Sequence, residues 1–202
     1  MGQRKVGGRA AALGVLALGL AFVTVRGRGR RVDERLFTRV NSGLQGPVLD
    51  RLFRSITELG SLWASGAAAA AIAARGRRRE AADALAAAAT TWVAGQGLKR
   101  LFKRLRPYQV EGLEHRLLID RPAGASWPSS HPAVLLTFVT VAARDLGLGS
   151  GARSALTLLA GAVGVSRVYL GVHYPADVAG GLLLGRAVAG AWSASVSPRL
   201  VG

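Results

Sequence analysis

The chain has 202 residues, half of them hydrophobic, and 27 Lys and Arg against 11 Asp and Glu give it a net charge of +16. It has no cysteine, which excludes disulfides, thiolate nucleophiles and Cys-ligated metals. A basic chain has two readings, a nucleic-acid surface or membrane-flanking anchors. A mean hydropathy of +0.29, with the apolar content in Ala, Leu, Val and Gly blocks bounded by Arg, favours the second, and no nucleic-acid partner is expected.

In chain order, the first block is Ala10 to Val25, behind Arg4, Lys5 and Arg9. It runs into the arginines of 26–31 with no small-residue cleavage site, so it reads as an uncleaved span rather than a signal peptide. Within residues 33–53, Leu36, Phe37, Val40 and Leu44 predict an amphipathic helix at the membrane interface. A second block, Ile56 to Ala74, ends in the arginines of 75–79, and a third runs from Ala81 to Leu98. A polar loop over about 99–131 follows. The remaining blocks are Pro132 to about Leu148, Ser154 to Val172 and Ala176 to Val196. The expected fold is therefore all-α: a polytopic membrane bundle of about six transmembrane helices, with one domain over 1–202. Residues 1–55 would hold the first span and the Arg-rich amphipathic segment.

The cations at Arg4, Lys5, Arg9 and 75–79 place the N-terminus and the second loop in the cytoplasm. The loop 99–131 and the segment around His173 then share the outer face. The Arg-rich stretch 26–39 falls on that face too, against the positive-inside rule.

Three segments of this face can carry chemistry. In "KRLFKRLRP", Lys99 and Arg106 are seven residues apart, close to two helical turns, and Pro107 marks an end. Alone, this is as well explained by a basic helix whose side chains reach the headgroups. In "PSSHP", Pro132 is expected to open a helix and to leave Ser129, Ser130 and His131 at its N-terminus, where free N–H groups suit an anion. Serine as a plain helix cap explains it equally well. In "SRVYLGVHYPAD", Pro175 opens another helix, with His173 before it and Asp177 in its first turn, placed to orient the imidazole. Arg167 lies inside an apolar block, where an unpaired charge costs several kcal/mol.

The order K-x6-RP, P-S-x-H and SR-x5-H-x3-D resembles the three-part signature of the type-2 phosphatidic acid phosphatase family, related to bacterial acid phosphatases and vanadium haloperoxidases. The resemblance covers residues 90–190, the expected catalytic core. It departs at Ser130, where the family pattern has glycine, so the local loop is expected to differ in shape, not in chemistry. What it implies is a membrane-embedded phosphatase working without metal or other cofactor. His173 would be the nucleophile, forming a phosphohistidine; Asp177 would orient it and His131 would be the general acid. Lys99, Arg106, Arg167, Ser129 and Ser130 would hold the phosphate. His115 matches nothing in the signature.

The implied substrate is a lipid phosphate: a polyprenyl phosphate or pyrophosphate, phosphatidic acid or phosphatidylglycerol phosphate. The expected location is the plasma membrane of a bacterium, with the site on the extracytoplasmic face. The alternatives are a vanadate-dependent haloperoxidase, against which the spans and short length speak, and a non-catalytic protein binding or transporting anionic lipid.

Overall fold

The structure, a computed structural model, describes residues 2–27 and 29–195, and the side chains of all of these but 2–6 and 26. Arg28 and Val196, and the side chains of Arg4, Lys5 and Arg26, lie outside the described residues.

Long Ala, Leu and Val runs without strand-period alternation fold as helices, joined mostly by short turns. They are α1 (Gly2–Ala21), α2 (Arg30–Asn41), α3 (Pro47–Thr57), α4 (Leu62–Ala74), α5 (Arg78–Phe102), α6 (Ser130–Asp145), α7 (Ser150–Tyr169) and α8 (Pro175–Ser195). A π-helical turn, Phe22–Arg26, extends α1, and a 3-10 turn, Glu58–Gly60, joins α3 to α4.

α6 is apolar on nearly every side and sits at the centre, against α5, α7 and α8. Its Val134, Leu135, Phe138 and Val141 belong to one core cluster with Ala81, Ala84, Ala87 and Ala88 of α5, whose small side chains let the backbones approach. α8 comes closer still: a Cβ on Gly185 would stand 2.5 Å from the Ala133 carbonyl oxygen, so only glycine fits. One polar thread crosses this core. Thr91 Oγ1 lies 2.8 Å from Thr137 Oγ1, which donates to the Gly185 carbonyl at 3.0 Å. α1 lies along α8.

α5 to α8 alternate in direction, so the C-termini of α5 and α7 and the N-termini of α6 and α8 meet at one end. At the other end Arg144 bridges to Asp83 at 2.8 Å, and Trp192 Nε1 donates to the same carboxylate.

Several sequence expectations change. The single amphipathic helix over 33–53 is two helices, because Gly43 and Gly46 interrupt it and Pro47 opens α3. Leu44, expected on its apolar face, lies in the joint. The block Ile56 to Ala74 is bent by 66° between Gly60 and Leu62. There the Ser61 hydroxyl accepts the Ala64 N–H at 3.0 Å and starts α4 afresh. α5 runs on to Phe102, so the polar loop spans 103–129. α6 begins at Ser130, which leaves Pro132 at its third position rather than at its opening. Pro175 does open α8.

Among the described residues one helix, Gly7–Val25, is by itself long and apolar enough to cross a membrane; α3 and α4 pass the same test together as a bent pair.

Candidate active site

Lys103 ends α5 in the left-handed conformation, with φ at 48°. Beyond it Arg104 and Arg106 are buried while Leu105 between them is 56% exposed, the alternation of an extended chain. Lys99 and Arg106 therefore do not share a helical face, as their spacing had suggested; the break at Lys103 returns Arg106 to Lys99. Lys103 itself is exposed.

Lys99, Arg106, Ser130, His131, Arg167 and His173 line one cavity of about 740 Å³. Its other wall is apolar, with Leu62, Trp63, Leu85, Ala89, Trp92 and Val134. Ser129 and Asp177, both fully buried, do not line it. They join two helix starts: Ser129 N–H donates to the Asp177 carbonyl at 2.9 Å. His115 is exposed in the loop.

Arg106 is 2% exposed and is held by backbone carbonyls and by one histidine. Its Nε donates to Gly124 at 2.9 Å, and Nη1 donates to Val172 at 3.0 Å and lies 3.3 Å from His173 Nε2. With no carboxylate on it, its charge is available to an anion, and burial lowers its pKa. Arg167 Nη1 donates to Thr57 Oγ1 at 2.9 Å, while its Nε is buried without a partner, as is Ser130 Oγ. Buried polar groups without partners are rare, and two on one cavity wall suit a polar ligand.

His173 presents Nε2 to the cavity side and Nδ1 to Asp177 Oδ2, 3.4 Å away. Burial pushes its pKa well below the ordinary 6.5, against the pull of the carboxylate. Asp177 Oδ2 also accepts Ser126 Oγ and, at 2.8 Å, the Tyr174 N–H, which fixes it at the start of α8. Its Oδ1 accepts Arg104 Nη1 at 2.7 Å, and Arg104 Nη2 reaches Asp33 Oδ2 at 2.6 Å.

Glycine at position 60 brings the 3-10 turn against His131. A Cβ there would stand 2.7 Å from the Cβ of His131 and 2.7 Å from Val163 Cγ1. Ser130, which departs from the family pattern, is the first helical residue of α6 and is not among the positive-φ residues. Nothing left-handed is required there, so serine fits without strain.

Asp33, Thr57, Gly60, Arg104 and Ser126 also belong to the site, and none stands in the three motifs as a signature residue. Among the described residues no three His, Asp or Glu gather as a metal site would require.

A sequence profile for the PAP2 superfamily matches residues 80–200. The chain is 41% identical over 95 residues to YbjG of Escherichia coli (strain K12), provisionally named an undecaprenyl-diphosphatase, covering 47% of this chain and 44% of that protein. It is 37% identical over 94 residues to the decaprenylphosphoryl-5-phosphoribose phosphatase of Mycobacterium tuberculosis (strain ATCC 25618 / H37Rv), covering 45% of this chain and 47% of that protein. These matches span about half the length of the curated relatives.

Two crystal structures share the fold. One is a transmembrane PAP2 type phosphatidylglycerolphosphate phosphatase from Bacillus subtilis, with a TM-score of 0.72 and 24% identity over 92% of this chain and 94% of that one. The other is LpxE of Aquifex aeolicus, with a TM-score of 0.68 and 29% identity over 77% of this chain and 90% of that one.

Proposed function

The chain belongs to the PAP2 superfamily, and from that premise we propose that it is an integral membrane phosphatase that hydrolyses a lipid phosphate or diphosphate, without metal, through a phosphohistidine on His173. The observation that carries this is the cavity, where three buried or half-buried cations and two histidines face an apolar wall.

The phosphate enters among Lys99, Arg106 and Arg167, and satisfies the unpartnered Arg167 Nε and Ser130 hydroxyl. The N–H groups of Ser130 and His131, in the first turn of α6, add donors. Arg106 turns its N–H from His173 Nε2 to the phosphate, which frees the nitrogen's lone pair. Nε2 then attacks phosphorus as the bond to the leaving oxygen breaks. Nδ1 keeps its proton towards Asp177, whose charge stabilises the positive ring.

His131 gives its proton to the leaving oxygen. The incoming dianion offsets the surrounding cations and so favours the protonated imidazole. In the second step His131 takes a proton from water, the oxygen attacks phosphorus, the P–N bond breaks and His173 recovers its lone pair. The three cations neutralise the phosphoryl oxygens throughout.

The apolar wall accommodates an acyl or isoprenoid chain. Trp63, 90% exposed beside the cavity, suits contact with lipid. The names of the curated relatives favour a polyprenyl phosphate or diphosphate over phosphatidic acid or phosphatidylglycerol phosphate. α1, the bent α3–α4 pair and α5 to α8 provide six passes; α7, at 20 residues, is about 30 Å long, a bilayer core's thickness. The membrane is read as a bacterial plasma membrane, with the site on the extracytoplasmic face.

The test is purified protein in detergent, given a panel of these lipids with EDTA present. Phosphate release is expected from at least one. A folded protein that releases none from any lipid ends the hydrolase reading, and activity lost to EDTA ends the metal-free one.

A further inference from the structure

Arg104 is a fourth buried cation beside the cavity, yet it faces two carboxylates and is absent from the cavity wall. Its guanidinium lies between Asp177 Oδ1 at 2.7 Å and Asp33 Oδ2 at 2.6 Å, with the Tyr174 ring 4.1 Å from its carbon. All three charged side chains are at most 6% exposed. The other oxygen of Asp33 accepts the Ala176 N–H at 2.9 Å, so Asp33 also caps the first turn of α8 from another helix. Asp33 stands on α2, outside the residues that the family profile matches.

We propose that Asp33 is a positioning residue for the reaction: through Arg104 it fixes the Asp177 carboxylate and keeps that carboxylate's charge available to His173. This rests on His173 as the nucleophile. Arg104 paired with Asp177 alone would be neutral, and His173 would meet a carboxylate whose charge is already offset. Two carboxylates on one guanidinium leave a net negative charge, and the other groups set around Asp177 are the neutral Ser126 hydroxyl and Tyr174 N–H. The imidazole that becomes positive on attack is then what balances it.

A buried ion pair is also a poor device for merely joining α2 to the bundle, since apolar residues do that at no loss. The cations that face His173 are Arg106, from the loop after α5, and Arg167, from α7. The negative cluster opposes both.

The experiment compares Asp33→Asn with the wild-type full chain in detergent. Asparagine keeps the shape and an acceptor for Ala176 but removes the charge. On the lipid that the wild type hydrolyses best, kcat is expected to fall roughly ten- to a hundredfold with KM within about twofold, the pattern of a lost transition-state contact. Asp33→Glu should recover much of it. In ¹⁵N-histidine NMR spectra, His173 of the Asn variant should titrate at lower pH than in the wild type, because nearby negative charge favours its protonated form and the variant has less of it.

A folded Asp33→Asn with wild-type kcat overturns the proposal. So does a loss of kcat with the His173 titration unmoved, which is what a purely structural role would give. A wild type that releases no phosphate refutes the hydrolase reading instead, and the titration still decides whether the charge of Asp33 reaches His173. If Asp33→Asn does not fold, Arg104→Lys takes its place: it keeps one charge but cannot span both carboxylates, and wild-type kcat in that variant overturns the proposal.

Discussion

Arg106 Nη1 lies 3.3 Å from His173 Nε2, so one guanidinium holds the nitrogen that the proposed mechanism uses as its nucleophile. The same side chain donates to Gly124 and Val172, tying the loop after α5 to the turn that carries His173. Arg106→Lys should therefore behave almost as badly as Arg106→Ala, because an ammonium cannot make this fork of contacts. Both should lose about 10²-fold or more in kcat/KM, measured by phosphate release, as when a transition-state donor is removed. Near-wild-type activity in Arg106→Lys would show that charge alone suffices.

Thr57 supplies the sole hydrogen-bond acceptor that the structure gives Arg167 among the described residues. Thr57→Val keeps the shape and leaves a buried donor unpaired, at a cost of about 1–3 kcal/mol. The expected result is a lower thermal midpoint with KM raised several-fold. An unchanged KM would mean that Arg167 does not need this anchor.

Gly60→Ala puts a methyl group 2.7 Å from the His131 Cβ. Either His131 or the turn that packs on it must shift, and with His131 displaced the step that protonates the leaving oxygen should slow more than binding does. Steady-state kinetics should show kcat down at least about tenfold, as for a displaced general acid, and equal loss on a substrate with a good leaving group would argue against that role. Ser130→Gly restores the family pattern at a helical position but removes one hydroxyl from the phosphate, so KM should rise several-fold, the scale of about 1 kcal/mol for one hydrogen bond, and an unchanged KM would show that the hydroxyl does not touch the phosphate.

Burial holds the His173 pKa well below 6.5. The folded protein thus refuses a proton that the unfolded chain accepts, and the stability due to neutral His173 is present above pH 6.5 and lost on acidification below it. The slope is at most about 1.4 kcal/mol per pH unit. Thermal midpoints between pH 7 and pH 5 should fall more steeply in the wild type than in His173→Ala, and parallel curves would contradict the burial argument.

A cysteine at Gly112, exposed in the loop 103–129, tests the proposed orientation. A membrane-impermeant reagent should label it in intact cells; labelling only after lysis would reverse the topology.

Much of the site was legible because its chemistry is local. His173, Pro175 and Asp177 lie within one helix start, and Ser129, Ser130 and His131 within another, so helix-start preferences together with the family signature placed them. The bend at Ser61 was less legible, since apolar residues continue on both sides of it. Arg104 and Asp33 were not legible: their contacts join residues 71 and 73 positions apart, and neither residue has a periodic or motif signal. The neighbourhood of Lys99 and Arg106 was expected for the wrong reason. Their spacing fits a helix, but the left-handed Lys103 brings them together.

The central claim is the phosphohistidine on His173, and rapid quenching with a ³²P-labelled lipid phosphate tests it most directly. The wild type should yield a phosphoprotein that is labile to acid and stable to base, and His173→Ala should yield none while releasing phosphate at least about 10⁴-fold more slowly, the scale set by loss of a covalent nucleophile. A labelled phosphoprotein in His173→Ala, or near-wild-type phosphate release from it, would contradict the account.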